Sequence, residues 1–272
     1  MNRKISNNYQ VRVKINTKDE ISKIEKACRV VADTLSTLKN YVKVGVTTKE
    51  LDEIAEDCIR SRNARPAFKG YQPDKSLMPF PGTICASVNE VVVHGIPSDY
   101  KLKDGDIISI DCGAELDGFY GDSAVTYPVG KIEPSVERLL QVTEEALFLG
   151  IDNAIEGRKV YDISKAIQQH CEENGYSLTR ELVGHGIGRR LHEEPPIPNF
   201  VPPLLYRNRY PNVKLLSGMA LAIEPMVHMG RKEIATASDG WTIITADNKP
   251  AAHFEHTVIV DKNKAIILTL RD

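Results

Sequence analysis

The sequence has no CxxC pair, no uninterrupted apolar run near the roughly 18 residues of a membrane helix, and no surplus of either charge. Its five cysteines, Cys28, Cys58, Cys85, Cys112 and Cys171, are odd in number and widely spaced. That argues against a disulfide framework and for a reducing compartment. MNRKISNNYQ lacks the apolar core of a secretory signal, so a cytoplasmic protein with no membrane partner is expected. With 35 Lys and Arg against 37 Asp and Glu, the formal net charge of −2 gives no broad electrostatic case for nucleic acid. The basic cluster at residues 60–65 reads as solvated surface. Low-complexity segments and repeats of 20 to 50 residues are absent as well, which excludes solenoids and arrays.

What is present is the composition of a globular protein. The 272 residues are 42% hydrophobic and 26% charged, enough for one large core. Residues 1–13 read as a polar N-terminal arm and residues 14–272 as a single domain. Thr17 to Glu20 forms a capping box before an apolar stripe of Ile21, Ile24, Cys28, Val31, Leu35 and Leu38. A second box, Thr47 to Glu50, opens a helix with Leu51, Ile54 and Cys58 on one face. Two further helices are expected over about 135–152 and 160–173, the latter ended by Asn174-Gly175. Residues 83–93 predict a strand hairpin that delivers His94. The runs MALAIEPMV and AHFEHTVIV each read as a strand burying one carboxylate, Glu224 and Glu255. Residues 195–211 hold six of the fifteen prolines and predict a long stiffened loop, neither helix nor central strand.

The chemistry begins at IISIDCGAELDGFYGD, residues 107–122. The β-branched isoleucines favour a strand, and Asp117-Gly118 can take the positive φ of a tight hairpin turn. With the turn centred there, Asp111 lies opposite Ala124 and Asp122 opposite Gly113. Both carboxylates then share one face, roughly 7 to 8 Å apart, close enough to hold a metal. Unpaired buried negative charge costs several kcal/mol, and no basic residue stands beside Asp122 in FYGDSAV. Further on, Gly184, Gly186 and Gly188 clear side chains from around His185, and His192 follows seven residues later. Asp111, Asp122, Glu224, Glu255 and His185 together suit two divalent cations and metal-assisted hydrolysis. Phe68, Tyr71 and Phe80, on the Pro-punctuated loop 66–81, mark a pocket or a sheet cover.

The stretches SVNEVVVHGIPSD, DGDIISIDCGAELDGFYGDSA, VGHGIGRRLHEEP, GMALAIEPMV, DGWTIITAD and FEHTVIV stand in the same order as in the type I methionine aminopeptidases, which the chain resembles over about residues 15–271. The resemblance implies an α+β pita-bread fold: a pseudo-two-fold antiparallel sheet core with helices packed outside and a dinuclear metal site in the sheet. It implies metal ligation by Asp111, Asp122, His185, Glu224 and Glu255, with Asp122 and Glu255 bridging two ions of Co, Mn, Fe or Zn. Glu224 would also take a proton from water, and His94 and His192 would hold the scissile peptide. Phe68, Tyr71, Phe80, Cys85 and Trp241 would line a methionine pocket. The implied activity is removal of the initiator methionine from nascent polypeptides whose second residue is small, by a monomer, with ribosome contact left open. An Xaa-Pro-type aminopeptidase and a catalytically inactive binding module of the same fold are the alternatives. Phe68 replaces a Cys of several relatives, Leu191 an aromatic, and segments 72–79 and 195–211 are longer than in the most compact members. His170, His228, His253 and His256 match no catalytic position and are expected to be structural.

Overall fold

A computed structural model of the protein describes residues 13–76 and 78–271. The expected polar arm, apart from Val13, lies outside the described residues. The frame for everything else is the hairpin of strands Ile107–Leu116 and Phe119–Pro128. Asp117 and Gly118 both have positive φ, 52° and 78°, which closes a two-residue turn whose twist matches the strands it joins. Asp111 pairs with Ala124 and Asp122 with Gly113, so the parity argument holds in the structure. The free edge of the first strand takes Ile84–Val88 and, beyond it, the short Arg65–Pro66.

Helices α1 (Lys18–Lys39) and α2 (Thr48–Ser61) start at the two capping boxes, with both reciprocal hydrogen bonds made at Thr17 and Thr47. The first helix buries Ile24, Cys28, Val31, Leu35 and Leu38 against the hairpin, each such residue stabilising by about 1.5–3 kcal/mol. The second buries Leu51, Ala55 and Ile59, so its inward face is rotated from the expected one; Ile54 and Cys58 are only half-buried. Gly121 has a direct cause: a Cβ there would lie 2.5 Å from the backbone nitrogen of Cys28, and the close approach of α1 beside Asp122 depends on its absence.

Helices α3 (Pro134–Ile151) and α4 (Val160–Glu173) pack on each other, and α3 covers the strands of the second half. There a five-stranded antiparallel sheet runs in the order Ile266–Ile267, His256–Ile259, Ala220–Ile223, Gly184–Gly186, Glu193–Ile197. A three-stranded sheet of Ala251–His253, Met226–His228 and Ser177–Leu178 continues beside it. Thus each half of the molecule sets two helices ahead of antiparallel strands that carry a pair of carboxylates. The halves are stitched by hydroxyls. Thr257 donates to the Asp122 carbonyl (2.7 Å), Ser123 to the Glu255 carbonyl (2.5 Å) and Thr126 to the His253 carbonyl (2.8 Å).

Three expectations need correction. Ile84–Val88 and Val91–Val93 are not a hairpin, because the turn at Asn89 sends them to different sheets, the second to Ile243–Thr245. The two apolar runs are not continuous strands: each breaks at its glutamate, Glu224-Pro225 and Phe254-Glu255, where the chain crosses between sheets. Pro225 has no N–H with which to continue a ladder. Finally, Glu193–Ile197 is a strand, at the sheet edge where proline is tolerated, and loop structure begins only after it. Among the described residues no helix is long and apolar enough to cross a membrane.

Candidate metal centre

The hairpin brings Asp111 and Asp122 to one face, and the hydroxyl stitches bring that face onto the broken strands. Register on either side of the break, Ile223 opposite His256 and Met226 opposite His253, sets Glu224 opposite Glu255. His185 enters from Gly184–Gly186, paired opposite Ala222. Gly184 and Gly186 are required there, since a Cβ on either would lie within 2.5 Å of a neighbouring carbonyl oxygen.

One ligand atom each of Asp122, His185 and Glu255 lie within 4.8 Å of one another. His185 Nε2 stands 3.7 Å from Glu224 Oε1 and 3.9 Å from Asp122 Oδ2. Its Nδ1 is 2.9 Å from the Gly186 carbonyl, which can only accept, so Nδ1 carries the proton and the Nε2 lone pair faces the carboxylates. Burial holds the imidazole neutral, with its pKa lowered to about 3.

The carboxylates are in the opposite predicament. Burial and neighbouring acids push Asp111 up to about 7, burial pushes Glu224 up to about 8, and Asp122 and Glu255 rise well above the usual range for the same reasons. Asp111 Oδ1, Asp122 Oδ1 and Glu255 Oε1 are buried without a hydrogen-bond partner among the described residues. Hard oxygen donors with unspent lone pairs beside one neutral imidazole fit divalent cations. Bound cations are also what allows all four acids to ionise together.

Over this cluster stands an apolar slot. Phe68, Phe80, Cys85, Leu191 and Trp241 form one buried group, with Tyr71 packed at its side. Phe80 meets Trp241 edge-on at 5.3 Å, and Phe68 covers Gly113, where a Cβ would sit 2.7 Å from its ring. Slot and carboxylates line a single cavity of about 240 Å³, and every site residue singled out from the sequence borders it, Tyr71, His94 and His192 included. His94 has φ 58°, a conformation bulky residues adopt at a cost of order 1–3 kcal/mol, and its ring meets Trp241 edge-on at 6.3 Å. His192 is exposed at the mouth, its ring 4.3 Å from that of His185 and its Nδ1 2.8 Å from the Tyr71 hydroxyl.

The structure resembles no ordinary protein interior here, and relatives account for it. The profile of Metallopeptidase family M24 matches residues 22–262. The chain belongs to metallopeptidase family M24. This M24 chain is 48% identical to the methionine aminopeptidase of Clostridium perfringens over 256 residues, 94% of this chain and 98% of that one. To methionine aminopeptidase 1 of Bacillus subtilis it is 49% identical over 253 residues, 93% and 97% of the two chains. The crystal structure of the Thermotoga maritima methionine aminopeptidase superposes with a TM-score of 0.89 at 40% identity, covering 96% of this chain and all of that one. The fold of the M24 chain is therefore the pita-bread fold, and the chain is a metal-dependent hydrolase that binds divalent metal.

His253, expected to be structural, is buried with Nε2 3.5 Å from Glu224 Oε2 and no hydrogen-bond partner for that nitrogen among the described residues. The other three do have structural partners: His170 with Glu145, His228 with Thr179 and Arg231, His256 with Thr269. Leu191, noted only as a departure, lies within the slot, and Leu182, Val183 and Met226 of the cavity wall carried no signal in the sequence.

Proposed function

We propose that the chain is a methionine aminopeptidase that removes the initiator methionine from the N-termini of nascent polypeptides when the second residue is small. The observation that carries this reading is the continuity of one cavity, in which the Phe68, Phe80, Cys85 and Trp241 slot opens directly onto the carboxylates. A side chain buried in the slot presents the peptide bond after its own residue to that cluster. An unbranched thioether suits such walls, because sulfur–ring contacts add about 0.3–1.5 kcal/mol.

Asp111, Asp122, His185, Glu224 and Glu255 would hold two divalent cations, Co, Mn, Fe or Zn. When bound, such cations polarise a carbonyl and lower the pKa of water. Glu224 accepts the proton of the attacking water and passes it to the departing amine. His94 and His192 donate hydrogen bonds to the substrate backbone and to the charge growing on its carbonyl oxygen; donors held in place beforehand are effective because they need no reorganisation during reaction. The strained backbone at His94 is kept in place by its neighbour: Gly95 N–H donates to Ser87 Oγ, and its carbonyl accepts from Ala86. Residues 14–272 act as one catalytic domain, monomeric and cytoplasmic where nascent chains are met.

The test compares kcat/KM for Met-Ala-Ser and Ala-Pro peptides on protein supplied in turn with Mn, Fe, Co and Zn, with metal content measured alongside. Cleavage of Met-Ala-Ser alone supports the reading. Cleavage of Ala-Pro alone moves the chain to the Xaa-Pro class, and hydrolysis of neither makes it a binding module.

A further inference from the structure

His185 and His192 are neighbours in the cavity, but different atoms meet their Nδ1 nitrogens. His185 Nδ1 faces a carbonyl, which leaves no choice of tautomer. His192 Nδ1 faces the Tyr71 hydroxyl at 2.8 Å, a group that can give or take a proton. We propose that Tyr71 donates to His192 Nδ1 and so holds His192 in the tautomer opposite to that of His185, with its proton on Nε2. Tyr71 is then a positioning residue, and the consequence for catalysis rests on the function proposed above.

Relative acidity sets the direction. A phenolic O–H is a much stronger acid than the N–H of a neutral imidazole, and the imidazole lone pair is the better acceptor. The lower-energy sharing therefore runs from oxygen to nitrogen. Partial burial raises the Tyr71 pKa and keeps its proton in place. A neutral ring whose Nδ1 accepts must carry its hydrogen on Nε2. The two histidines are thereby divided by their partners: His185 offers a lone pair toward the carboxylates, His192 an N–H to a substrate.

Tyr71 is well fixed for this task. Its N–H donates to the Phe68 carbonyl at 2.8 Å, and its carbonyl accepts from Phe80 N–H at 2.9 Å. Gly70 N–H donates to the Phe80 carbonyl at 2.8 Å, closing the neck of the segment between them. The Trp241 indole N–H donates to the Met78 carbonyl at 2.8 Å and ties that segment to the slot.

The experiment is long-range proton–nitrogen NMR on the full chain labelled with 15N-histidine, with and without Zn²⁺, at a pH where the rings are neutral. In the parent, His192 is expected to show a bare Nδ1 and a protonated Nε2, and His185 the reverse. In Tyr71→Phe the His192 signals move to a mixture of tautomers while those of His185 stay, which also reports that the variant is folded. Turnover of Met-Ala-Ser by Tyr71→Phe falls about 10- to 100-fold in kcat with metal content unchanged, the usual effect of losing a partner that orients a site histidine. A protonated Nδ1 on parental His192, or an unchanged His192 tautomer in Tyr71→Phe, overturns the proposal. The spectra do not depend on peptide cleavage, so a protein with the expected tautomers and no aminopeptidase activity would count against the function and not against Tyr71.

Discussion

Glu224 and Glu255 stand opposite each other at the point where two antiparallel strands both break, between the pairs Ile223–His256 and Met226–His253. A strand break frees backbone groups, and these are partly satisfied locally: the Glu255 N–H donates to the Ala124 carbonyl at 3.0 Å and the Glu224 carbonyl accepts from Asn199 at 3.0 Å. The break turns both glutamates toward the aspartates of the hairpin. Four acids in one place, Asp122 and Glu255 buried and Asp111 and Glu224 half-buried, are stable only as protonated groups or around cations, and the first prediction follows from that alternative.

Metal-free protein should lose stability as pH rises. The folded pKa values of Asp111 and Glu224, about 7 and about 8, lie above ordinary carboxylate values, so the folded state holds protons that the unfolded state has released. Their stabilising contribution is complete below about pH 4 and is lost as pH passes through 7 to 8. Thermal unfolding of chelator-treated protein should show Tm falling from pH 5 to pH 8. Added divalent metal should raise Tm more at pH 8 than at pH 5, where protons compete for the same oxygens. A flat Tm in the metal-free protein over that range would contradict the cluster's charge state.

Much of this site could be read from the chain, and the reasons are local. Asp117-Gly118 specifies a two-residue turn, and a turn of known length fixes the parity that brings Asp111 and Asp122 to one face. Capping boxes are equally local, and both helices begin at theirs. Where each strand goes is not local. Nothing in MALAIEPMV except Pro225 distinguishes a continuous strand from one divided between two sheets. The hydroxyl stitches of Ser123, Thr126 and Thr257 join segments more than 120 residues apart, and a lone Thr in a strand gives no sign of its partner. The contact of His253 with Glu224 is equally non-local, since it exists only once both strands have broken.

Removing a stitch should be felt at the site. Thr257 is fully buried; its hydroxyl donates to the Asp122 carbonyl and accepts from the Asp122 N–H at 3.3 Å. Thr257→Val keeps the volume but leaves both groups unpaired, at a cost of about 1–3 kcal/mol. For a domain of this size each kcal/mol corresponds to about 2–4 °C in Tm. Calorimetry should show that loss, and titration calorimetry a weaker metal affinity, because Asp122 is no longer held against Glu255. A Thr257→Val protein with parental Tm and metal affinity would show that the two halves do not depend on this bond.

Ligand and non-ligand histidines should separate by metal content. His185→Ala removes an imidazole lone pair directed at Glu224 and Asp122 and should lower metal content and rate together. His192→Ala should depress turnover while sparing metal, since its ring stands at the mouth and pairs with Tyr71. Equal metal depletion in the two variants, measured by elemental analysis, would mean the two roles have been assigned wrongly.

Glu224→Gln should fold like the parent, being equal in volume, and lose about 10²–10⁴-fold in kcat, the range for losing a positioned proton acceptor. Thermal unfolding and single-turnover kinetics measured on the same preparation make the comparison. Near-parental kcat at full metal loading would show that the proton goes elsewhere.

Specificity should follow the walls of the slot. Phe68 lies over Gly113 and meets the buried group of Phe80, Cys85, Leu191 and Trp241, so it fixes one side of the space available to the first side chain. A missing or extra methylene in such a slot shifts discrimination by about 1–3 kcal/mol. Phe68→Cys widens it and should relax the preference for Met over norleucine and branched analogues by up to that amount. On the function proposed above, His94 and His192, which both line the cavity, would hold the backbone beyond the scissile bond and leave little room for a bulky second residue. The measurement is kcat/KM for Met-Ala-Ser, Met-Leu-Ser and norleucine-Ala-Ser on parent and variant. Equal cleavage of Met-Ala-Ser and Met-Leu-Ser by the parent would refute the small-second-residue rule. Unchanged Met-to-norleucine ratios in Phe68→Cys would show that this ring packs against Gly113 without shaping the substrate.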